Sequence, residues 1–130
     1  MCIRDSHKIF LAQFDAIKKL ASEGPCVMVG RCADYALSEY KDCFSVFVHA
    51  DTDWRINRLS QKHNKTAKEA KDMINKTDKS RSSYYNYYTN KKWGAASSYN
   101  LCVDSSKLGI DGAAKAIIQA IEIFDSIKNK

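Results

Sequence analysis

Apolar residues return at helical intervals from His7 to Ser22, where Ile9, Phe10, Phe14, Ile17 and Ala21 share one side and Lys8, Lys18 and Lys19 take others. This spacing predicts an amphipathic helix. Gly24-Pro25 ends it, and the all-apolar Cys26-Val27-Met28-Val29 reads as a strand buried on both faces, as in a parallel sheet. A second apolar run, Phe44 to Val48, leads into Ala50-Asp51-Thr52-Asp53, whose short polar side chains can cap a helix beginning near Trp54. From Thr66 to about Tyr88 there are few β-branched residues and no Gly or Pro. That stretch predicts one long helix, or two joined by a break, polar enough to project from the body. Trp93-Gly94 marks a turn, and Tyr99 to Val103 forms a third apolar strand ending in Asp104-Ser105-Ser106. A last helix, Asp111 to about Ile127, is expected to bury Ala114, Ile117, Ile118, Ile121 and Phe124 on one face.

Helix, strand, helix, strand, helical excursion, strand, helix is an α/β pattern of parallel strands and crossover helices. Such sheets bind ligands beyond the carboxyl ends of their strands, where Gly30-Arg31, Asp51 and Asp104-Ser105 fall. The chain has 130 residues, 45% of them hydrophobic and 28% charged, which suits one globular domain. No apolar run approaches a membrane span and the start lacks a secretory pattern, so the expected location is the cytoplasm. The five cysteines, Cys2, Cys26, Cys32, Cys43 and Cys102, are odd in number and widely spaced, which argues against a disulfide framework or a zinc site. No metal ligands are assigned, and His7, His49 and His63 are given no chemistry.

Charge changes the picture. Of the net +6, residues 55–92 hold 11 Lys or Arg against 3 Asp or Glu, so this arm carries +8 and the rest of the chain −2. Within it, Asp78-Lys79-Ser80-Arg81-Ser82-Ser83-Tyr84-Tyr85-Asn86-Tyr87-Tyr88 crowds cations, hydroxyls and phenols where a core helix carries aliphatics. Cations complement phosphate oxygens, and rings stack on bases. Lys71, Ile74, Asp78, Arg81, Tyr85 and Tyr88 share one helical face, which makes Asp78 and Arg81 neighbours. They form either a plain surface ion pair or an aspartate orienting an arginine toward phosphate. Arg31, after an apolar run and a flexible glycine, offers a planar fork of donors to a ligand, or else pairs with Asp34. Arg55 and Arg58, three apart, can face one anion, or simply be solvated. No glycine belongs to a phosphate-cradling loop motif.

Val27-Met28-Val29-Gly30-Arg31-Cys32-Ala33-Asp34, Val46-Phe47-Val48-His49-Ala50 with Arg55 and Arg58, Asp78 to Tyr85, Trp93-Gly94, and Leu101 to Ile110 together resemble the cytidylate kinase-like family of P-loop nucleoside monophosphate kinases. The resemblance implies a three-layer parallel-sheet P-loop kinase-like fold with a helical lid at about 55–92. It also implies transfer of the ATP γ-phosphoryl group to CMP or dCMP with Mg²⁺. By the same likeness Gly30, Arg31, Asp34, Arg55 and Arg58 would bind the acceptor. Lys76, Lys79 and Arg81 would act catalytically in the lid with Asp78 orienting them, and Asp104, Ser105 and Ser106 would lie near the ATP base. Cys32 stands where cytidylate kinases carry an aspartate that helps read the nucleotide, which leaves the acceptor base open. The family's opening strand and glycine-rich loop have no counterpart in these residues. Met1 to Ser6 departs from the helical pattern and resembles a non-native leader, so residues 7–130 are expected to be the C-terminal portion of a longer kinase, inactive alone. The partners on this reading are a nucleoside monophosphate and ATP, with no membrane and no nucleic acid. Two other readings compete: a basic, tyrosine-rich nucleic-acid-binding module, and tyrosines that only pack a helical hairpin against a partner.

Overall fold

A computed structural model describes residues 3–30 and 32–128. The chain folds as two compact units, Met1–Cys43 and Phe44–Lys130. The secondary structure is mostly helical, with one small parallel sheet.

The first unit consists of α1 (Ile3–Ser22), an extended segment, and the single turn α2 (Ala33–Ala36). Helix α1 begins at Ile3, so the polar residues expected to stand apart from the helical pattern continue it. Ile17 of α1 is buried with Ala36 and Leu37, and Phe14, Ala21, Met28, Ala33 and Cys43 pack around them. Ile9, expected on the buried side, is exposed. The strand expected at Cys26–Val29 does not form: the segment is extended but joins no ladder, and Val27 and Val29 are 93% and 89% exposed. An all-apolar run becomes a strand only when a neighbour takes its backbone hydrogen bonds, and the described residues supply none.

In the second unit β1 (Val46–His49) pairs in parallel with β2 (Leu101–Asp104), His49 lying opposite Asp104. The sheet thus has two strands among the described residues, not three. Before the strands begin, the Ser45 amide donates to Asn100 Oδ1 at 2.8 Å and the Asn100 amide donates to Ser45 O at 2.9 Å, which fixes the register. Between the strands run α3 (Thr52–His63) and α4 (Ala67–Thr89), an antiparallel pair joined by a short turn. Asp51 caps α3 as its sequence suggests, accepting from the amides of Asp53 and Trp54. Thr66 and Glu69 form a reciprocal capping box that starts α4, and Asn90 in the left-handed region ends it.

The aromatic residues of the Asp78–Tyr88 run divide by burial. Tyr85 is buried at 6% exposure and stacks on Tyr99, which stacks on Phe47, and Trp93 meets Phe47 edge-on at 5.3 Å. Tyr84 and Tyr88 are half-buried, and Tyr87 stands out in solvent. After β2, α5 (Ser105–Lys128) bends at Gly109, whose φ of 74° and ψ of 168° interrupt the helix at a residue without a Cβ to clash. Its buried side is set by Ala113, Ile117 and Phe124, with Phe124 against Phe44. Ala114, Ile118 and Ile121, expected to be covered with them, face outward, because the two strands are narrower than the apolar arc of the helix.

Burial, with Asp34 adding to it, pushes the Cys32 thiol up from 9.0 to about 11. At pH 8 its thiolate fraction is then about a hundredfold below that of an ordinary thiol. Labelling with a disulfide-exchange reagent, mapped by peptide mass spectrometry, should modify exposed Cys26 rapidly and Cys32 only in denaturant. Equal rates at the two positions would contradict this packing.

Candidate nucleotide-binding cleft and basic hairpin

The carboxyl ends of β1 and β2 open on a cleft of about 460 Å³ lined by His49, Ala50, Asp51, Trp54, Asp104, Ser106 and Lys107. Parallel pairing with His49 opposite Asp104 brings two helix starts to the same edge: α3 follows β1 and α5 follows β2. One hydroxyl ties them together. Ser106 Oγ donates to Asp104 Oδ1 and accepts from the Asp51 amide at 3.0 Å, while the Ser106 amide donates to the same Asp104 oxygen at 2.9 Å. Ser105 turns inward and donates to the His49 carbonyl at 3.3 Å. The Ser106 hydrogen bonds hold the Asp104 carboxyl below its ordinary range. The carboxylate charge is therefore retained as pH falls, until the lowered value is reached.

Asp51 and Asp104 thus fill the positive ends of their own helices. The cleft floor presents carboxylate oxygens and hydroxyls, suited to a ligand that donates hydrogen bonds, and Trp54 and His49 add ring surface. His49 was given no role from sequence. The signal that finds it is the strand-end rule applied to β1, whose final residue sits opposite the Asp104 singled out for β2.

The hairpin contains a strong ion pair. Arg55 on α3 donates Nη1 to Asp78 Oδ2 and Nη2 to Asp78 Oδ1, both at 2.8 Å, a two-toothed bond between the helices. Asp78 raises the Arg55 pKa further above its ordinary value, chiefly through this hydrogen bond. The expected Asp78–Arg81 partnership is therefore replaced by Asp78–Arg55: a residue across the hairpin can present a planar fork to both oxygens, which a neighbour one turn along need not do. Arg81 stays exposed and forms no ion pair with the described residues. The Arg58 guanidinium lies 5.7 Å from the Trp54 ring centroid. Lys76 and Lys79 are exposed on α4. Gly30, exposed with a φ of 71° and nothing within 4 Å of a Cβ position, and Asp34 on α2 belong to the first unit. Arg31 lies outside the described residues. No three His, Cys, Asp or Glu side chains among the described residues gather as metal ligands, and no described helix is long and apolar enough to cross a membrane.

A parallel sheet with a cleft at its strand ends and a cationic helical hairpin between its strands defines a mixed α/β protein. The chain belongs to the cytidylate kinase-like family, which it matches over residues 3–107, a span that takes in most of the supposed leader. It is similar to an uncharacterized protein from Eubacterium ventriosum ATCC 27560 whose crystal structure is known, with 34% identity and a TM-score of 0.85. That similarity covers 88% of this chain and 65% of the other, so this chain spans less than two thirds of its neighbour's length. No curated protein matches the chain.

Charge-assisted hydrogen bonds contribute about 1.5–3 kcal/mol. With 33% and 27% of the two side chains open to water, solvent screening reduces the Arg55–Asp78 pair to about 1 kcal/mol. A double-mutant cycle of Arg55→Met and Asp78→Asn, followed by urea denaturation, should return a coupling of that size. A coupling near zero would mean that the pair does not hold the hairpin.

Proposed function

We propose that this protein serves ATP-dependent phosphoryl transfer to a nucleoside monophosphate, CMP or dCMP by the family's pattern, on a three-layer P-loop kinase-like fold. The observation that supports the reading best is the division of labour in the hairpin. Asp78 gives both oxygens to Arg55, so the two helices are fixed to each other and Arg81, on the same face of α4, is left uncommitted. A guanidinium held on a rigid element but free of an internal carboxylate is suited to the charge that develops on a transferring phosphoryl group.

In this reading the γ-phosphoryl group leaves ATP for an oxygen of the acceptor phosphate, giving ADP and a nucleoside diphosphate. Little covalent work falls to the protein, so orientation and charge neutralisation dominate. Arg81 is the transition-state cation, and Asp78 and Arg55 position the helix that carries it. Asp104 and Ser106 offer the cleft floor to the nucleoside of ATP, with Ser105 buttressing the end of β1. Gly30, Arg31 and Asp34 are assigned to the acceptor, as the family pattern suggests. Mg²⁺ typically uses one or two carboxylates together with substrate phosphates, so it would arrive largely on ATP, with Asp51 and Asp104 the carboxylates at this edge. The loop that would hold the β and γ phosphates has no counterpart in these 130 residues, and the chain by itself is proposed to bind nucleotide without turning it over.

Two measurements test this. Calorimetry with a bisubstrate analogue, adenosine and cytidine joined through phosphates, should show binding that Arg81→Ala weakens about tenfold or more, as expected for one charged hydrogen bond. Unchanged affinity in a variant with an unchanged far-UV spectrum would remove Arg81 from the site. In a coupled assay with ATP, CMP and Mg²⁺ the chain alone should give no turnover above background, and normal turnover would refute the need for a phosphate loop from elsewhere.

A further inference from the structure

The hairpin carries a second set of cations, on the side of α4 away from Arg81, and two of them, Lys76 and Lys79, are also lid residues in the family's pattern. At 100° per residue, the buried Ala70, Ile74 and Tyr85 define the inner face of α4, and Asp78 and Arg81 lie on it. Lys68, Lys76 and Lys79 fall on the outer face, all exposed, in line with Ser83 and with Tyr87, whose side is 68% exposed. None of the three lysines forms an ion pair with a described residue. Of the two carboxylates on that side, Glu69 is turned back to cap α4, and Asp72 remains. A rise of 1.5 Å per residue sets Lys79 about 17 Å along the helix from Lys68, and Tyr87 about 12 Å beyond it.

We infer that the outer face of α4 is a docking rail for single-stranded nucleic acid, with Lys68, Lys76 and Lys79 pairing with backbone phosphates and Tyr87 stacking on a base. Charge complementarity calls for an anionic partner, and the residues that follow Lys79 choose its class. A membrane surface wants apolar side chains to insert beside the cations, whereas this face offers Ser80, Ser83 and Asn86. The Tyr87 ring meets Tyr88 edge-on at 4.9 Å and is otherwise open to solvent; an acidic protein has no use for such an exposed ring face, whereas every base can stack on one. A kinase using Arg81 on the inner face and a nucleic acid on the outer face are compatible, and this second activity does not rest on the first.

Fluorescence anisotropy of a labelled U20 oligoribonucleotide, measured without mononucleotide, reads the rail separately from the cleft. Saturable binding is expected, with log K falling against log salt at a slope of about −2, as three phosphate contacts on a single strand predict. The triple variant Lys68→Ala, Lys76→Ala, Lys79→Ala should lose about tenfold or more in affinity and most of that slope. Tyr87→Ala should weaken binding about fivefold or more at an unchanged slope. Absence of saturable binding, a triple variant that binds as tightly as the parent, or equal affinity for phosphatidylserine vesicles or polyglutamate would overturn the proposal. All substituted residues are exposed on a capped helix, so the fold should survive, which far-UV circular dichroism checks.

Discussion

Parallel pairing of Val46–His49 with Leu101–Asp104 is the constraint from which the second unit follows. Parallel neighbours cannot be joined by a tight turn, so the chain between them must cross over, and here that crossover is the α3–α4 hairpin. The same pairing sets both carboxyl ends at one edge, so α3 and α5 start side by side and share a floor built from Asp51, Asp104 and Ser106. A single hydroxyl, that of Ser106, reaches both strand ends because the register places Asp104 beside His49. Cleft, hairpin and helix starts are thus consequences of one ladder of four residue pairs.

Most of this was legible because it depends on short-range chemistry. Asp51 before Trp54 is a cap whose partners lie within three residues, and it forms as the sequence suggests, while Thr66 and Glu69 add a capping box of equally short range. What failed depended on partners far away in the chain. Cys26–Val29 has the composition of a buried strand, yet composition does not state whether a neighbour is present, and its valines stand in water. Ile118 and Ile121 carry the right period for burial, but period marks only the direction of the apolar arc and not the width of the sheet that must cover it. Family membership is visible for the same reason the caps are: its motifs are local, and the match runs through residue 107.

The site was legible in its residues and not in its pairings. Asp78 and Arg81 share a helical face, and spacing alone made them partners. Arg55, 23 positions away, won the carboxylate because α3 runs back along α4 and can present both guanidinium nitrogens at 2.8 Å. Tyr84, Tyr85, Tyr87 and Tyr88 looked alike as a cluster of phenols, but the helix distributes them from the core to open solvent. Tyr85 belongs with Tyr99 and Phe47, so part of the aromatic signal is packing and only part is surface available to a ligand.

That division explains how one hairpin and its flanking residues can hold so many like charges. Eleven cations against three acids within residues 55–92 would repel one another strongly if they faced the same way. Arg55 is neutralised by Asp78 and buried to about two thirds, Arg58 rests against Trp54, and Lys68, Lys76 and Lys79 are turned to the side opposite Arg81. The helix thereby separates its charge into an inner site that needs one uncommitted arginine and an outer face fully open to water. Neither face has to be desolvated for the other to act. A hairpin held by the Arg55–Asp78 clamp and the Tyr85–Tyr99–Phe47 stack keeps each face where it is, since loosening either would let α4 rotate and turn Arg81 away from the inner side.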